Sequence, residues 1–228
     1  MIPLRDDNPS SLRPIVTLAI IGACVLIFFW QFSLGPADGE AVIYALGFTP
    51  AVAFGYTALP DQLAWVPAPV TIFTSMFLHG GLLHLAGNML YLWIFADNIE
   101  DRMGHSRFVL FYALCGLAAA MAQGLLDLDS AIPMIGASGA VSGVLGAYVV
   151  LFPRARVLVA LPVFVVLYTL RLPAIWVLGL WFVGQLLSSI AMSPEEGGVA
   201  FQAHIGGFVA GLLLVYPFVR RPRHSRDG

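Results

Sequence analysis

The chain has 228 residues, 59% hydrophobic and only 11% charged, with 13 acids set against 11 arginines and no lysine. Soluble domains carry roughly 25% charge, so this balance describes a polytopic membrane protein and excludes an ordinary soluble domain. A net charge of −2 leaves no basic face beyond a short arginine-rich tail, which excludes nucleic acid as a partner.

Residues 1–14 are polar and carry Arg5 and Arg13, and the first apolar run, "IVTLAIIGACVLIFFWQFSL", begins at Ile15. A run of about 20 residues crosses roughly 30 Å of hydrocarbon and exceeds the 7–15-residue core of a signal peptide, so it reads as an uncleaved first span. A stretch over about 35–70 follows, rich in Gly, Pro and aromatics, with Asp38, Glu40 and Asp61 as its acids. No secondary structure is evident in it, and loops of that length are functional or disordered.

The second span runs from Phe77 to Ala96 and is interrupted by His79, His84 and Asn88; Asp97, Glu100 and Asp101 stand at its far end. The third starts at Phe108, the fourth at Met134 ("MIGASGAVSGVLGAYVVLF"), the fifth at Pro173 and the sixth at Val199. Cys24 and Cys115 sit inside apolar runs, away from any metal-ligand spacing, and read as buried spacers. Between the fourth and fifth spans lies "VLVALPVFVVLYTL", Val157 to Leu170, which as a helix reaches only about 21 Å. It is β-branched, contains Pro162 and is bracketed by Arg156 and Arg171.

Charge settles the crossing number. Six spans place Arg5, Arg13, Arg102, Arg107, Arg154, Arg156, Arg171, Arg220, Arg221, Arg223 and Arg226 on one side, and the opposite loops hold only acids, Asp127, Asp129, Glu195 and Glu196 among them. A seventh crossing would carry the tail outside. The expectation is therefore an all-α, six-helix polytopic bundle over 15–219 with both termini cytoplasmic, an interfacial segment over about 157–170, and a basic cytoplasmic tail over 220–228.

Polar groups inside spans are costly and mark functional sites by default. They occur as His79, His84 and Asn88 in span two, Ser138 and Ser142 in span four, and Gln202 and His204 in span six. Under this topology the even spans run inward, so Ser138 and His204 both lie about 6–8 Å below the outer ends of their helices. His84 and Asn88, four apart, share a helix face. His79 would point about 140° away from His84 on the same helix. Gly139 and Gly143 on span four and Gly207 and Gly211 on span six give small surfaces on which backbones approach closely. "GASGAVSG" taken alone suits packing as well as chemistry; the shared depth of three polar clusters favours chemistry. A serine beside a histidine supports acyl transfer, with the imidazole taking the hydroxyl proton and returning it to the leaving amine. His84, Asn88 and backbone N–H groups near Ser138 are donors of the right type for the oxyanion. No acid is placed to orient His204, so a dyad is implied.

These residues resemble the rhomboid family of intramembrane serine proteases. The resemblance is carried by "HLAGN" (His84 to Asn88), "GASG" (Gly136 to Gly139) and "AHIGGFVAG" (Ala203 to Gly211), in that order on spans two, four and six, with Glu100 of "NIEDRMG" fitting the turn after span two. It implies Ser138 as nucleophile, His204 as general base and acid, and His84, Asn88 and the Ser138 backbone N–H as the oxyanion hole. It further implies no metal and no cofactor, with single-pass or multi-pass membrane proteins as substrates, cut in or beside their transmembrane helices, and the lipid bilayer as surroundings. The site would open toward the periplasmic or extracellular side of a cell inner membrane. A mobile fifth span and outer loop would form the gate, with Trp176, Trp181 and Phe182 as gate residues. The alternative is a catalytically inactive relative that binds transmembrane helices and controls their trafficking. Two positions depart from the family pattern: Ser142 stands where an aromatic often stacks on the histidine, and Val70 and Thr71 replace a Trp-Arg pair.

Overall fold

The computed structural model describes residues 1–163, 166–191 and 200–220. The expected acids Glu195 and Glu196, the start of span six at Val199, and the tail from Arg221 onward lie outside the described residues.

Helix α1 (Ile15–Ser33) is followed by α2 (Pro36–Leu46) and the single turn α3 (Pro50–Ala53). After a short 3-10 turn come α4 (Thr71–Thr74), α5 (Leu82–Met103), α6 (His105–Gly124), α7 (Ser138–Leu151), α8 (Ala174–Ala191) and α9 (Phe201–Phe218). The loop over 35–70 thus holds two helices where the sequence showed no regular structure; Pro36 and Pro50 each begin one, at the position where a missing N–H costs nothing.

Four of these helices, α1, α6, α8 and α9, have the length and apolar composition to cross a bilayer. Ala68–Phe77 and α5, bent by 83° at the break between them, bring the number of crossings to five if the pair is counted as one span. The fourth expected span is shorter than its sequence suggests, because α7 begins at Ser138 and has 14 residues. It lies at the centre, packed against α5, α6, α8 and α9, with Gly139 through Tyr148 all buried. A helix that short reaches about 21 Å of a roughly 30 Å layer.

An all-α reading needs correction. Three strands, β1 (Ile2–Asp6), β2 (Arg156–Val163) and β3 (Val166–Pro173), form an antiparallel sheet in that order. The stretch read as interfacial is a hairpin, with Leu158 opposite Arg171 and Val163 opposite Val166. Its β-branched composition and Pro162 suit a pleated strand better than a helix. The N-terminal segment supplies the third strand, pairing Pro3 with Val159 and Asp6 with Val157 around a bulge at Leu4. Pro3, Val157 and Val159 are buried, while Arg5, Arg156 and Arg171 are exposed. One face of the sheet therefore closes the core beneath the helices and the other carries arginine.

Asp6 joins sheet to bundle by accepting a hydrogen bond from the Tyr148 hydroxyl of α7. Burial pushes the Asp6 carboxyl up to about 6, outweighing the opposing effect of that bond. The folded state holds this proton more tightly than the unfolded chain does. Its contribution to stability is therefore full below the ordinary carboxylate range and is lost as pH rises through about 6. Asp6→Asn is expected to melt above wild type at pH 7 and to lose that advantage near pH 4. A melting difference constant across that range would contradict the assignment.

Candidate active site

Three helix N-termini meet at one cavity of about 720 Å³, lined by His84 and Asn88 of α5, Ser138 of α7, and Ala203 and His204 of α9. Small-molecule and peptide sites commonly have this size. Each N-terminus contributes backbone N–H groups without intrahelical partners and the positive end of a helix dipole, so the cavity favours developing negative charge.

Ser138 is the first residue of α7, not a residue one turn inside it. Its hydroxyl donates to His204 Nε2 across 2.8 Å. What allows this contact is the absence of side chains between α7 and α9. A Cβ on Gly207 would lie 1.9 Å from the Gly139 carbonyl oxygen, and one on Gly211 would lie 2.0 Å from that of Gly143. The two backbones touch, and Ser138, next to Gly139, and His204, one turn before Gly207, are held at hydrogen-bond distance. Ser142 is buried and donates to the Ser138 carbonyl oxygen at 2.6 Å, so it leaves the imidazole face free.

The donors lie beside the serine. Gly80 N–H donates to His84 Nδ1 at 3.5 Å, which leaves the ring proton on Nε2. That nitrogen faces Gly136, whose φ is +118 and on which a Cβ would sit 2.7 Å from His84 Nε2 and 3.8 Å from Asn88 Nδ2. Only glycine fits there, both for its backbone angle and for the imidazole against it. Asn88 spends one amide hydrogen on the His84 carbonyl at 3.1 Å and keeps a second. His84 Nε2 and Asn88 Nδ2 thus both stand beside Gly136, two residues before Ser138.

His79 departs from the helical reading. It precedes α5 in an extended link, and its ring packs edge-on to that of His84 with centroids 5.2 Å apart. The 140° separation applied to a helix that does not extend that far back. Of the suggested gate residues, Trp181 lies over His204 with ring centroids 5.9 Å apart, and Phe182 stacks on Phe208 at 4.4 Å. Trp176 stands at the other end of α8, exposed and away from the cavity.

Sequence reasoning missed Gln185. Its Oε1 accepts from His204 Nδ1 at 2.6 Å. It is a strongly polar side chain in an apolar helix, the same criterion that selected the other site residues. Phe201 adds an edge-on ring, its centroid 6.4 Å from that of His204.

The Rhomboid domain family matches residues 67–221. Rhomboid protein 1, mitochondrial, of Saccharomyces cerevisiae is 30% identical over 91% of this chain and 65% of its own length. RHOMBOID-like protein 5 of Arabidopsis thaliana is 31% identical over 68% of this chain and 45% of its own length. Rhomboid protease GluP of Bacillus subtilis is 30% identical over 90% of this chain and 36% of its own length. The chain thus spans between about a third and two thirds of the length of these relatives.

Proposed function

The chain belongs to the rhomboid family, and on that premise we propose that it is an intramembrane serine endopeptidase acting through Ser138 and His204. The observation that carries this reading is the 2.8 Å contact from Ser138 Oγ to His204 Nε2 in the lining of one cavity shared with His84 and Asn88.

In the proposed reaction His204 takes the Ser138 proton as Oγ attacks the scissile carbonyl carbon. The tetrahedral oxyanion is held by His84 Nε2–H, Asn88 Nδ2–H and the Ser138 N–H, each such donor being worth about 2.7–4 kcal/mol in a site with little water. The C–N bond then breaks, His204 delivers its proton to the departing amine, and an acyl ester remains on Ser138. Water, deprotonated by His204, attacks the ester; the new carboxyl end leaves and Oγ regains its proton. A helix offers its carbonyls already bonded, so the substrate segment must unwind to present one. Membrane proteins with helix-weakening residues near the outer face are the substrates this predicts.

The proposed orientation puts the sheet, both chain ends and every arginine at the cytoplasmic face, and the cavity toward the periplasmic or extracellular side of a cell inner membrane. Residues 15–219 form the membrane domain, with the hairpin of β2 and β3 against the cytoplasmic leaflet.

The test is labelling by a fluorophosphonate probe in detergent micelles. Wild type is expected to be modified on Ser138, and Ser138→Ala to remain unmodified and to leave a transmembrane-helix substrate uncut. Equal labelling of the alanine variant, or client-helix binding by wild type with no product, would overturn the proposal in favour of a non-catalytic helix-binding relative.

A further inference from the structure

The Ser138–His204 pair has a third member, and it comes from α8. We propose that Gln185 is a positioning residue that fixes the tautomer and the orientation of His204; this rests on the protease reading of the same site. Gln185 Oε1 lies 2.6 Å from His204 Nδ1, and a carbonyl oxygen has no hydrogen to give. The hydrogen between them therefore belongs to Nδ1. A neutral imidazole carries a single N–H, so Nε2, 2.8 Å from Ser138 Oγ, presents a lone pair able to receive the serine proton. In the opposite tautomer Nε2 would carry the hydrogen and could not act as base.

An amide serves here where a carboxylate would be costly. The position lies within a transmembrane helix, and an ionised side chain there would lose its hydration whenever His204 was neutral. The Gln185 carbonyl orients the ring without charge. Once His204 gains the serine proton both ring nitrogens carry hydrogen, and the bond to Gln185 becomes charge-assisted and stronger. Its stabilisation thus grows as the proton transfers, which is where it lowers the barrier.

The supporting contacts come from the same helix face. Trp181, four residues before Gln185, covers the imidazole. This supplies the ring contact that Ser142 does not. Among the described residues of α8 the buried ones are Ala174, Val177 and Leu178, all in its first turn and a half. Beyond them α8 meets the bundle through Trp181, Phe182 and Gln185. Moving the outer half of α8 aside would release both the face and the Nδ1 edge of His204 together. Hydrolysis is therefore confined to the arrangement in which α8 lies against α9.

The test compares the full-length chain with Gln185→Leu, which keeps the bulk of the side chain and removes the acceptor. Two quantities are measured in micelles: the rate of Ser138 modification by a fluorophosphonate, and the tautomer of His204 from its side-chain ¹⁵N shifts, read in a Ser138→Ala background. Gln185→Leu is expected to melt close to wild type, to be modified at least about tenfold more slowly, and to lose the predominance of the Nδ1–H tautomer. Modification at the wild-type rate, or a wild-type His204 carrying its hydrogen on Nε2, overturns the inference. If wild type is not modified at all, the protease reading fails, while the ¹⁵N shifts still decide the role of Gln185.

Discussion

Gly207→Val is expected to reduce hydrolysis of a transmembrane substrate by about a hundredfold or more, because displacing reacting groups by about 1 Å can cost that much. A Cβ at this position would meet the Gly139 carbonyl oxygen at 1.9 Å and the Ser142 Cβ at 3.4 Å. The first contact is with backbone, which cannot rotate away, so α9 must move off α7 by more than 1 Å. His204 lies one turn before Gly207 and moves with it. The 2.8 Å bond to Ser138 then opens past hydrogen-bond range. The same displacement loosens buried packing, and overpacked substitutions of this kind cost about 1–3 kcal/mol of stability. Gly22 of α1 is the control, since a Cβ there meets nothing within 4 Å. Gly22→Ala should leave both rate and melting unchanged. A Gly207→Val protein modified by fluorophosphonate as fast as wild type would show that the close approach of α7 and α9 does not set the site.

Glu100→Ala is expected to lower the unfolding free energy by about 3–5 kcal/mol, the usual cost of removing one partner from a buried charged network. Glu100 is fully buried near the end of α5. Its carboxylate accepts from the N–H groups of Val16 at 2.9 Å and Thr17 at 2.8 Å, from the Thr17 hydroxyl at 2.7 Å, and from His105 Nδ1 at 2.5 Å. The first two are orphan donors in the first turn of α1, where the residue preceding the helix is Pro14 and supplies no side-chain cap. Glu100 thus caps α1 from another helix and places negative charge at its positive end. Asp97 and Asp101 extend the same junction, holding Ser10 at 2.9 Å and the Leu12 N–H at 3.0 Å. Denaturation in mixed micelles measures the loss. Activity at low temperature should survive, because Glu100 is about 18 Å of helix rise from Asn88. A melting temperature unchanged in Glu100→Ala would contradict the capping role.

Much of the architecture follows from the sequence because the bilayer makes its cost local. Apolar runs announce the helices, one at a time, and a histidine, asparagine or serine inside a run stands out against its neighbours. His84, Asn88, Ser138 and His204 were recognisable on that ground. Gln185 meets the same criterion but belongs to no motif. The sheet was hidden for a different reason. Its hairpin was visible as a β-branched stretch too short to span, but its third strand, Ile2–Asp6, pairs with residues more than 150 positions away, and no local pattern identifies a partner so distant. The junction at Glu100 is hidden likewise, since a carboxylate at the end of one helix gives no hint that it caps another.

The sequence by itself determined the membrane-protein class and the residue types available for acyl transfer, because each depends on composition within a single segment. Only the tertiary structure decided that α7 begins at Ser138, that its backbone lies against α9, and that Gln185 meets Nδ1 of His204. Those facts depend on distances between segments, set by which side chains are absent where two helices touch.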